Sequence, residues 1–271
     1  MKHSIVKRKK LGEGAFSAVY LVEDDGGRVY ACKESRELKL LRREAEWLER
    51  LKIPLFPKYE DFWIQEETGY LLMEYLAGEN LEQYLQGREW ISLSEVFLIC
   101  RQLAEGLMLL HEREVPLLYL DLKPENILCC GQGNVRLVDL GLLTEAGGNR
   151  ARAGSPGYAA PEQFCIGSLL TPGADVYGFG ETLKRLLRKV QPGSGRKRSE
   201  DKAIQTVLRE VEKLAGLCTQ EEVSKRIPSM RLVRDILLTL RCDGESHVPK
   251  DTLAQALLTG RVQAELSVFL P

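Results

Sequence analysis

Apolar and polar positions alternate in short runs over the first quarter of the chain and recur at helical spacing over most of the rest. Ser4 to Lys10, Ser17 to Glu23 and Arg28 to Lys33 are partly alternating runs. Gly12, Gly14 and Asp24-Asp25-Gly26-Gly27 break them, which predicts antiparallel strands joined by hairpin turns. Phe62 to Gln65 and Tyr70 to Tyr75 continue the sheet. Between them Leu41, Ala45, Leu48 and Leu51 recur every three or four positions, with Arg42, Arg43, Glu46 and Arg50 opposite, so one amphipathic helix interrupts the strands.

From about residue 80 the period is helical, as in Leu93, Phe97, Cys100, Ala104, Leu107 and Leu110, and Ser92 with Glu95 has the spacing of a capping box. Later helices are predicted by Val176, Phe179, Leu183, Leu187 and Val190, by Ile204, Val207, Val211 and Leu214, and by Leu232, Val233, Ile236 and Leu240. The Gly/Arg/Lys/Ser stretch from Gln191 to Asp201 reads as a loop. The expected fold class is α+β: a small β-rich lobe over residues 1–76, a larger helical lobe over 77–240, and an extension over 241–271. Leu253, Leu257, Leu258, Val262, Leu266, Val268 and Leu270 make that extension too apolar for a free linker. It is expected to dock on a lobe or on a second chain, the first being preferred.

Composition narrows the function by exclusion. A length of 271 residues supports a sizeable core, and 44% hydrophobic beside 28% charged residues is ordinary for a globular protein. A formal net charge of -1 gives no support to nucleic-acid binding. The seven cysteines are odd in number and lack paired metal-ligand spacing, so they read as reduced, small apolar side chains. The first residues lack a signal core, and no run reaches the length of a membrane span, so a cytoplasmic location is expected.

Three segments carry chemistry. Leu11-Gly12-Glu13-Gly14-Ala15-Phe16-Ser17-Ala18-Val19 lies at a strand turn, where glycines let backbone amides approach phosphates, although a glycine-rich hairpin is by itself a weak signal. Lys33 ends the apolar run Val29-Tyr30-Ala31-Cys32. Glu44 falls in register with Leu41, Leu48 and Leu51, near the buried side of its helix, where a carboxylate needs a partner. Lys33 is the natural one; the plain alternative is a boundary glutamate reaching solvent. The strongest signal is Tyr119-Leu120-Asp121-Leu122-Lys123-Pro124-Glu125-Asn126-Ile127-Leu128, followed after a hairpin by Val138-Asp139-Leu140-Gly141. Phosphoryl transfer needs a carboxylate near the attacking hydroxyl, a cation near the moving group and oxygen ligands for Mg²⁺, which Asp121, Lys123 and the pair Asn126 with Asp139 can supply.

In these motifs the chain, from about residue 5 to 240, resembles the eukaryotic-like serine/threonine protein kinases, which implies a bilobal kinase fold with ATP and Mg²⁺ as cofactors and proteins bearing Ser or Thr as partners. The resemblance implies that Gly12 and Gly14 cover the nucleotide, that Lys33 binds its α and β phosphates, and that Glu44 is the ion-pair partner of Lys33 on a movable helix. Met73 resembles the gatekeeper, Glu74-Tyr75-Leu76 the hinge, and Leu11, Val19, Ala31, Leu128 and Val138 the walls of the adenine slot. Asp121 then corresponds to the catalytic aspartate and Asn126 with Asp139 to the metal ligands, while Lys123 resembles serine/threonine rather than tyrosine kinases. Gly154-Ser155-Pro156-Gly157-Tyr158 with Ala160-Pro161-Glu162 resembles the segment seating the substrate, Glu162 with Arg226 its bracing pair, and Asp175 the anchor of the catalytic loop.

The chain departs from the family pattern at Tyr119 and Leu120, which stand for the usual His and Arg, and at Leu140, which stands for Phe. Without that arginine, activity is expected not to depend on a phosphate in the activation segment, where Thr144 and Ser155 are the candidate acceptors and Arg150 and Arg152 lie nearby. Two further readings stay open: a pseudokinase scaffold, against which stand Lys33, Asp121 and Asp139, and a small-molecule kinase of the aminoglycoside or choline type, against which stand Lys123-Pro124, Ala160-Pro161-Glu162 and Arg226.

Overall fold

A computed structural model of the chain describes residues 5–14, 16–147, 153–191 and 198–242. Strands β1 (Ile5–Glu13), β2 (Ser17–Asp24), β3 (Val29–Ser35), β4 (Tyr59–Gln65) and β5 (Thr68–Glu74) form one antiparallel sheet in the order β1-β2-β3-β5-β4. The edge strand β1 is almost wholly exposed, and its lysines and arginine discourage further strand pairing. Helix α1 (Leu38–Leu51) crosses the strand order and packs on β4 and β5. Its buried residues are Leu41, Ala45, Leu48, Leu51 and, alone among them in charge, Glu44.

The second part is mainly helical. Short strand β6 (Gly78–Asn80) leads into α2 (Leu81–Gln86), and α3 (Leu93–His111) follows. Ser92 and Glu95 cap α3 reciprocally: the Ser92 hydroxyl accepts from the Glu95 amide at 3.2 Å, and the Glu95 carboxylate accepts from the Ser92 amide at 2.8 Å. Val96, Cys100, Leu103, Ala104, Leu107 and Leu110 of α3 are fully buried, and each leucine contributes about 1.5–3 kcal/mol of transfer free energy. Strands β7 (Leu117–Leu118), β8 (Ile127–Cys130), β9 (Val135–Leu137) and β10 (Thr144–Glu145) make two small sheets, β6-β8-β9 and β10-β7. Helices α4 (Gly173–Leu187), α5 (Arg198–Cys218) and α6 (Met230–Cys242) complete the part, α4 packing on α3 and α5, and α6 on α3.

Two boundaries differ from the sequence reading. Val190 lies beyond α4 and forms a β-bridge with Ile91, whose amide takes the Lys189 carbonyl at 2.9 Å. The expected loop Gln191–Asp201 is shortened at its end, because α5 already begins at Arg198. Glu200 and Asp201 favour a helix N-terminus through their charge, and Lys202 and Ala203 favour helix intrinsically. The apolar extension 251–270, Arg150 and Arg152 lie outside the described residues. Among those residues no helix is long and apolar enough to cross a membrane. Burial pushes the thiols of Cys32, Cys129 and Cys218 up to about 12, consistent with inert packing groups.

Candidate active site

The β2–β3 and β3–β5 ladders set Val19 beside Lys33 and Ala31 beside Met73, so the residues expected around a nucleotide share one region of the sheet. Gly12 pairs with Val19 where the β1–β2 hairpin closes, and the Ser35 hydroxyl donates to the Phe16 carbonyl at 2.6 Å, fixing the returning arm. Leu11, Gly12 and Gly14 are exposed, whereas Ala31 and Met73 are buried. Glu74 and Leu76 are half-buried; the Glu74 amide donates to the Lys58 carbonyl, and its carboxylate pairs with Arg136 at 3.1 Å. Leu128 sits in β8, held between β6 and β9.

At the end of β3 the Lys33 ammonium meets the Glu44 carboxylate at 2.7 Å and the Asp139 carboxylate at 3.0 Å. Burial alone would lower the Lys33 pKa, but the two carboxylates outweigh it and hold the group above the usual lysine range. Burial raises Glu44 against the pull of Lys33. Asp139 is likewise disfavoured by burial, yet Lys33 holds it below the usual carboxylate range. The free oxygen of Glu44 accepts from the Leu140 amide at 3.3 Å, so one glutamate on α1 binds both the lysine and the turn carrying Asp139.

The second cluster is the loop before β8. Asp121 accepts from the Ser155 hydroxyl at 2.7 Å and from the Asn126 amide at 2.8 Å, and lies 3.2 Å from the Lys123 ammonium. Lys123 in turn donates to the Ser155 hydroxyl at 2.6 Å. The Asn126 amide nitrogen also donates to the Asp121 carbonyl at 2.9 Å, which leaves the Asn126 side-chain oxygen as its open donor atom. Asp139 spends one oxygen on Lys33 and on the Gly141 amide, and its other oxygen enters no hydrogen bond with a neighbour. Two open oxygens of hard-ligand type, carried by residues whose backbones bond at 2.9 Å through the Val138 amide, fit a magnesium ion.

The backbone here is strained at two chosen places. Leu120 has φ 66° and Asp139 φ 69°, left-handed values that cost a side-chain-bearing residue about 1–2 kcal/mol each. Asp175, almost fully buried on α4, holds the first: its carboxylate accepts from the Tyr119 and Leu120 amides at 2.8 and 2.7 Å and from His111 at 2.9 Å. The Tyr119 hydroxyl donates to the Val138 carbonyl at 2.5 Å, tying the loop to the Asp139 turn.

The segment before α4 is fixed by polar contacts that cross the fold. Buried Gln163 donates to the carbonyls of Leu120 at 3.0 Å and Ala153 at 2.8 Å. Gly154, at φ 152°, is needed there, since a Cβ would meet Gln163 at 2.8 Å and overlap Ala159. Arg226 grips Glu162 at 2.6 and 3.1 Å and donates to the carbonyls of Gly173 and Gln220. Because its side chain is fully buried, Glu162→Ala should leave an uncompensated charge and cost about 3–5 kcal/mol in chemical denaturation, while Lys225→Ala, at an exposed pair, should cost less than about 1 kcal/mol. Equal midpoints for the two variants would refute this bracing role.

Several contacts had no clear sequence signal. His111, Gln163 and the donation from Arg43 to the Leu143 carbonyl at 2.5 Å join residues 43 to 100 positions apart. Only the low tolerance of buried polar groups, once burial is known, marks them as structural partners.

An ammonium, an orienting carboxylate and two open oxygens beneath a glycine-rich hairpin are the equipment of a phosphoryl-transfer site. The chain belongs to the protein kinase domain family, which it matches over residues 5–252. It is similar to the serine/threonine-protein kinase WNK of Caenorhabditis elegans, at 30% identity across 69% of this chain and 11% of that protein. It is also similar to the serine/threonine-protein kinase KIC1 of Saccharomyces cerevisiae, at 27% identity across 94% of this chain and 26% of that protein. A third relative, mitogen-activated protein kinase kinase kinase 7 of Drosophila melanogaster, is 32% identical across 70% of this chain and 29% of its own length. The chain therefore spans well under half the length of these relatives.

Proposed function

We propose that the chain is a catalytically competent serine/threonine protein kinase that moves the γ-phosphoryl group of ATP to a protein hydroxyl. The observation that carries this reading is the cluster of Asp121, Lys123, Asn126 and Ser155, in which a hydroxyl oxygen already sits 2.7 Å from the carboxylate and 2.6 Å from the ammonium. A substrate serine or threonine that took the place of the Ser155 hydroxyl would have its oxygen oriented by Asp121, which receives the proton as the oxygen–phosphorus bond forms and the bond to the ADP oxygen breaks. Lys123 then balances charge on the moving group, and Lys33, aligned by Glu44, binds the phosphates that remain with ADP. Asn126 and Asp139 would hold magnesium, which supplies neutralisation of charge on the β and γ phosphate oxygens. Incubation with labelled ATP and Mg²⁺, alone and with a generic basic protein, tests the reading. Label on serine or threonine supports it; nucleotide binding without transfer would favour a scaffold, and transfer only to small alcohols a small-molecule kinase.

The same site bears on regulation. Leu120, at the position where the family pattern has arginine, is buried in an apolar cluster with Leu118, Ala160, Leu170 and Ala174, against which Leu142, Ala146 and Tyr177 pack. A dianionic phosphate would find no partner in that cluster and would lose its hydration there. Thr144 is itself buried and paired with Leu118 in the β10–β7 ladder, and Arg43 of α1 binds the Leu143 carbonyl beside it. These contacts support an activation segment held by packing and backbone bonds, with no need of phosphorylation. Phosphatase-treated protein should phosphorylate substrate at its full initial rate without a lag, and Thr144→Ala should match the unmodified chain within about twofold. A lag that shortens with autophosphorylation and is lost together with activity in Thr144→Ala would overturn the proposal.

A further inference from the structure

A groove of about 580 Å³ lies on the flank of α3, and of the residues expected around the nucleotide it includes only Leu76. One wall is Ile53, Pro54 and Leu55, which follow α1; another is the Tyr75–Ala77 segment that joins the sheet to the helical part; the floor is Gln102, Glu105, Gly106 and Leu109 of α3. Gly106 lets these walls converge, since any Cβ there would overlap the Leu55 side chain. The charged groups at the rim are already engaged, Arg136 with Glu74 and the Pro54 carbonyl, and Glu105 with Arg101 at 3.9 Å. What remains is largely apolar, and Leu109 is 49% exposed.

The course of α6 says what can reach it. Arg231 pairs with Glu112 at the end of α3, and Arg234 contacts Met108 one turn earlier, so α6 runs antiparallel to α3. Continued at the common rise of 1.5 Å per residue, this sets Leu238 near the level of Glu105 and Cys242 near Arg101 and Gln102. Leu238 is 38% exposed, so an apolar side chain stands on α6 at the level of the groove floor. The chain thus leaves α6 within about a helix diameter, 10–12 Å, of the groove, and residues 243–250 can bridge roughly 26 Å when extended. The segment that follows matches the groove in chemistry. From Thr252 to Pro271 only Arg261 and Glu265 are charged, among Leu253, Leu257, Leu258, Val262, Leu266, Val268, Phe269 and Leu270.

We infer that residues 251–270 seat in this groove on their own chain. The occupied groove braces the Tyr75–Ala77 connection against α3 and covers Leu109 and Leu238. This goes beyond the proposed catalytic activity and does not depend on it.

The full chain carrying a benzophenone side chain at position 109 should, on irradiation, cross-link to peptides from 251–270 at monomer mass, with a yield independent of protein concentration. A control at Ile166, which is 85% exposed on a different segment, should give no such peptide. Cross-links confined to dimer mass would assign the groove to a second copy, and none above the control would leave it without this occupant; either result overturns the inference. Hydrogen exchange gives an independent reading. The double variant Leu109→Glu with Leu238→Glu changes only exposed side chains and should speed exchange across 251–270 by about tenfold or more while α3 keeps its protection. Unchanged exchange in 251–270 would also overturn it.

Discussion

Asp121→Asn and Asp139→Asn should each reduce phosphoryl transfer by at least about a hundredfold, the usual scale for removing one oriented charge from a transition state, but only the second should weaken magnesium-dependent nucleotide binding. The contacts explain the difference. Asp121 answers three donors, Ser155, Asn126 and Lys123, and none of its contacts reaches the Lys33 cluster. Asparagine offers one acceptor oxygen in place of two, so at least one donor is left unsatisfied and the acceptor hydroxyl loses its orientation. Asp139 instead touches Lys33 and keeps an oxygen open, so its amide variant removes a negative charge from the metal side while Lys33 retains Glu44. Titrating a fluorescent ATP analogue with and without Mg²⁺ separates the two. Near-normal turnover by Asp139→Asn, or equal loss of nucleotide binding in both variants, would show that the metal assignment is misplaced.

How much of this was legible beforehand depends on the range of the interaction involved. The strands, α1 and the Ser92 cap of α3 follow from local periodicity and local capping, which a sequence states directly. The polar residues of the site stood out because they break an apolar pattern or cluster at a short, meaningful spacing, as Glu44 does on α1 and Asp121 with Asn126 before β8. By contrast, the Arg43 contact to Leu143, the Gln163 bridge and the apolar cluster around Leu120 depend on how distant segments meet. Leucine at position 120 could be read as a missing charge, but its positive φ and its burial come from the Asp175 carboxylate two segments away. The beginning of α5 was misread for a different reason: the Gly/Ser content just before it dominated the local composition, although Glu200 to Ala203 favour helix.

Removing Lys33 and Glu44 together should cost little more than removing either alone. Lys33→Met and Glu44→Gln should each lower kcat/KM by about a hundredfold or more, and the double variant should fall far short of the product of the two losses. The reason is that Glu44 touches the chemistry only through other groups. One of its oxygens aligns the Lys33 ammonium at 2.7 Å, and the other receives the Leu140 amide at 3.3 Å. Once the lysine is gone, the first contact has nothing left to align, and only the hold on Leu140 distinguishes the double variant from Lys33→Met. Glu37 and Glu46 on the same stretch are exposed and make no ion pair with Lys33, so Glu37→Gln and Glu46→Gln should leave turnover within about twofold of the unmodified chain. Steady-state kinetics on the six proteins, at saturating and limiting ATP, measure the coupling directly. Losses that multiply in the double variant would mean that Glu44 and Lys33 act independently, and a severe effect of Glu46→Gln would move the partner role away from Glu44.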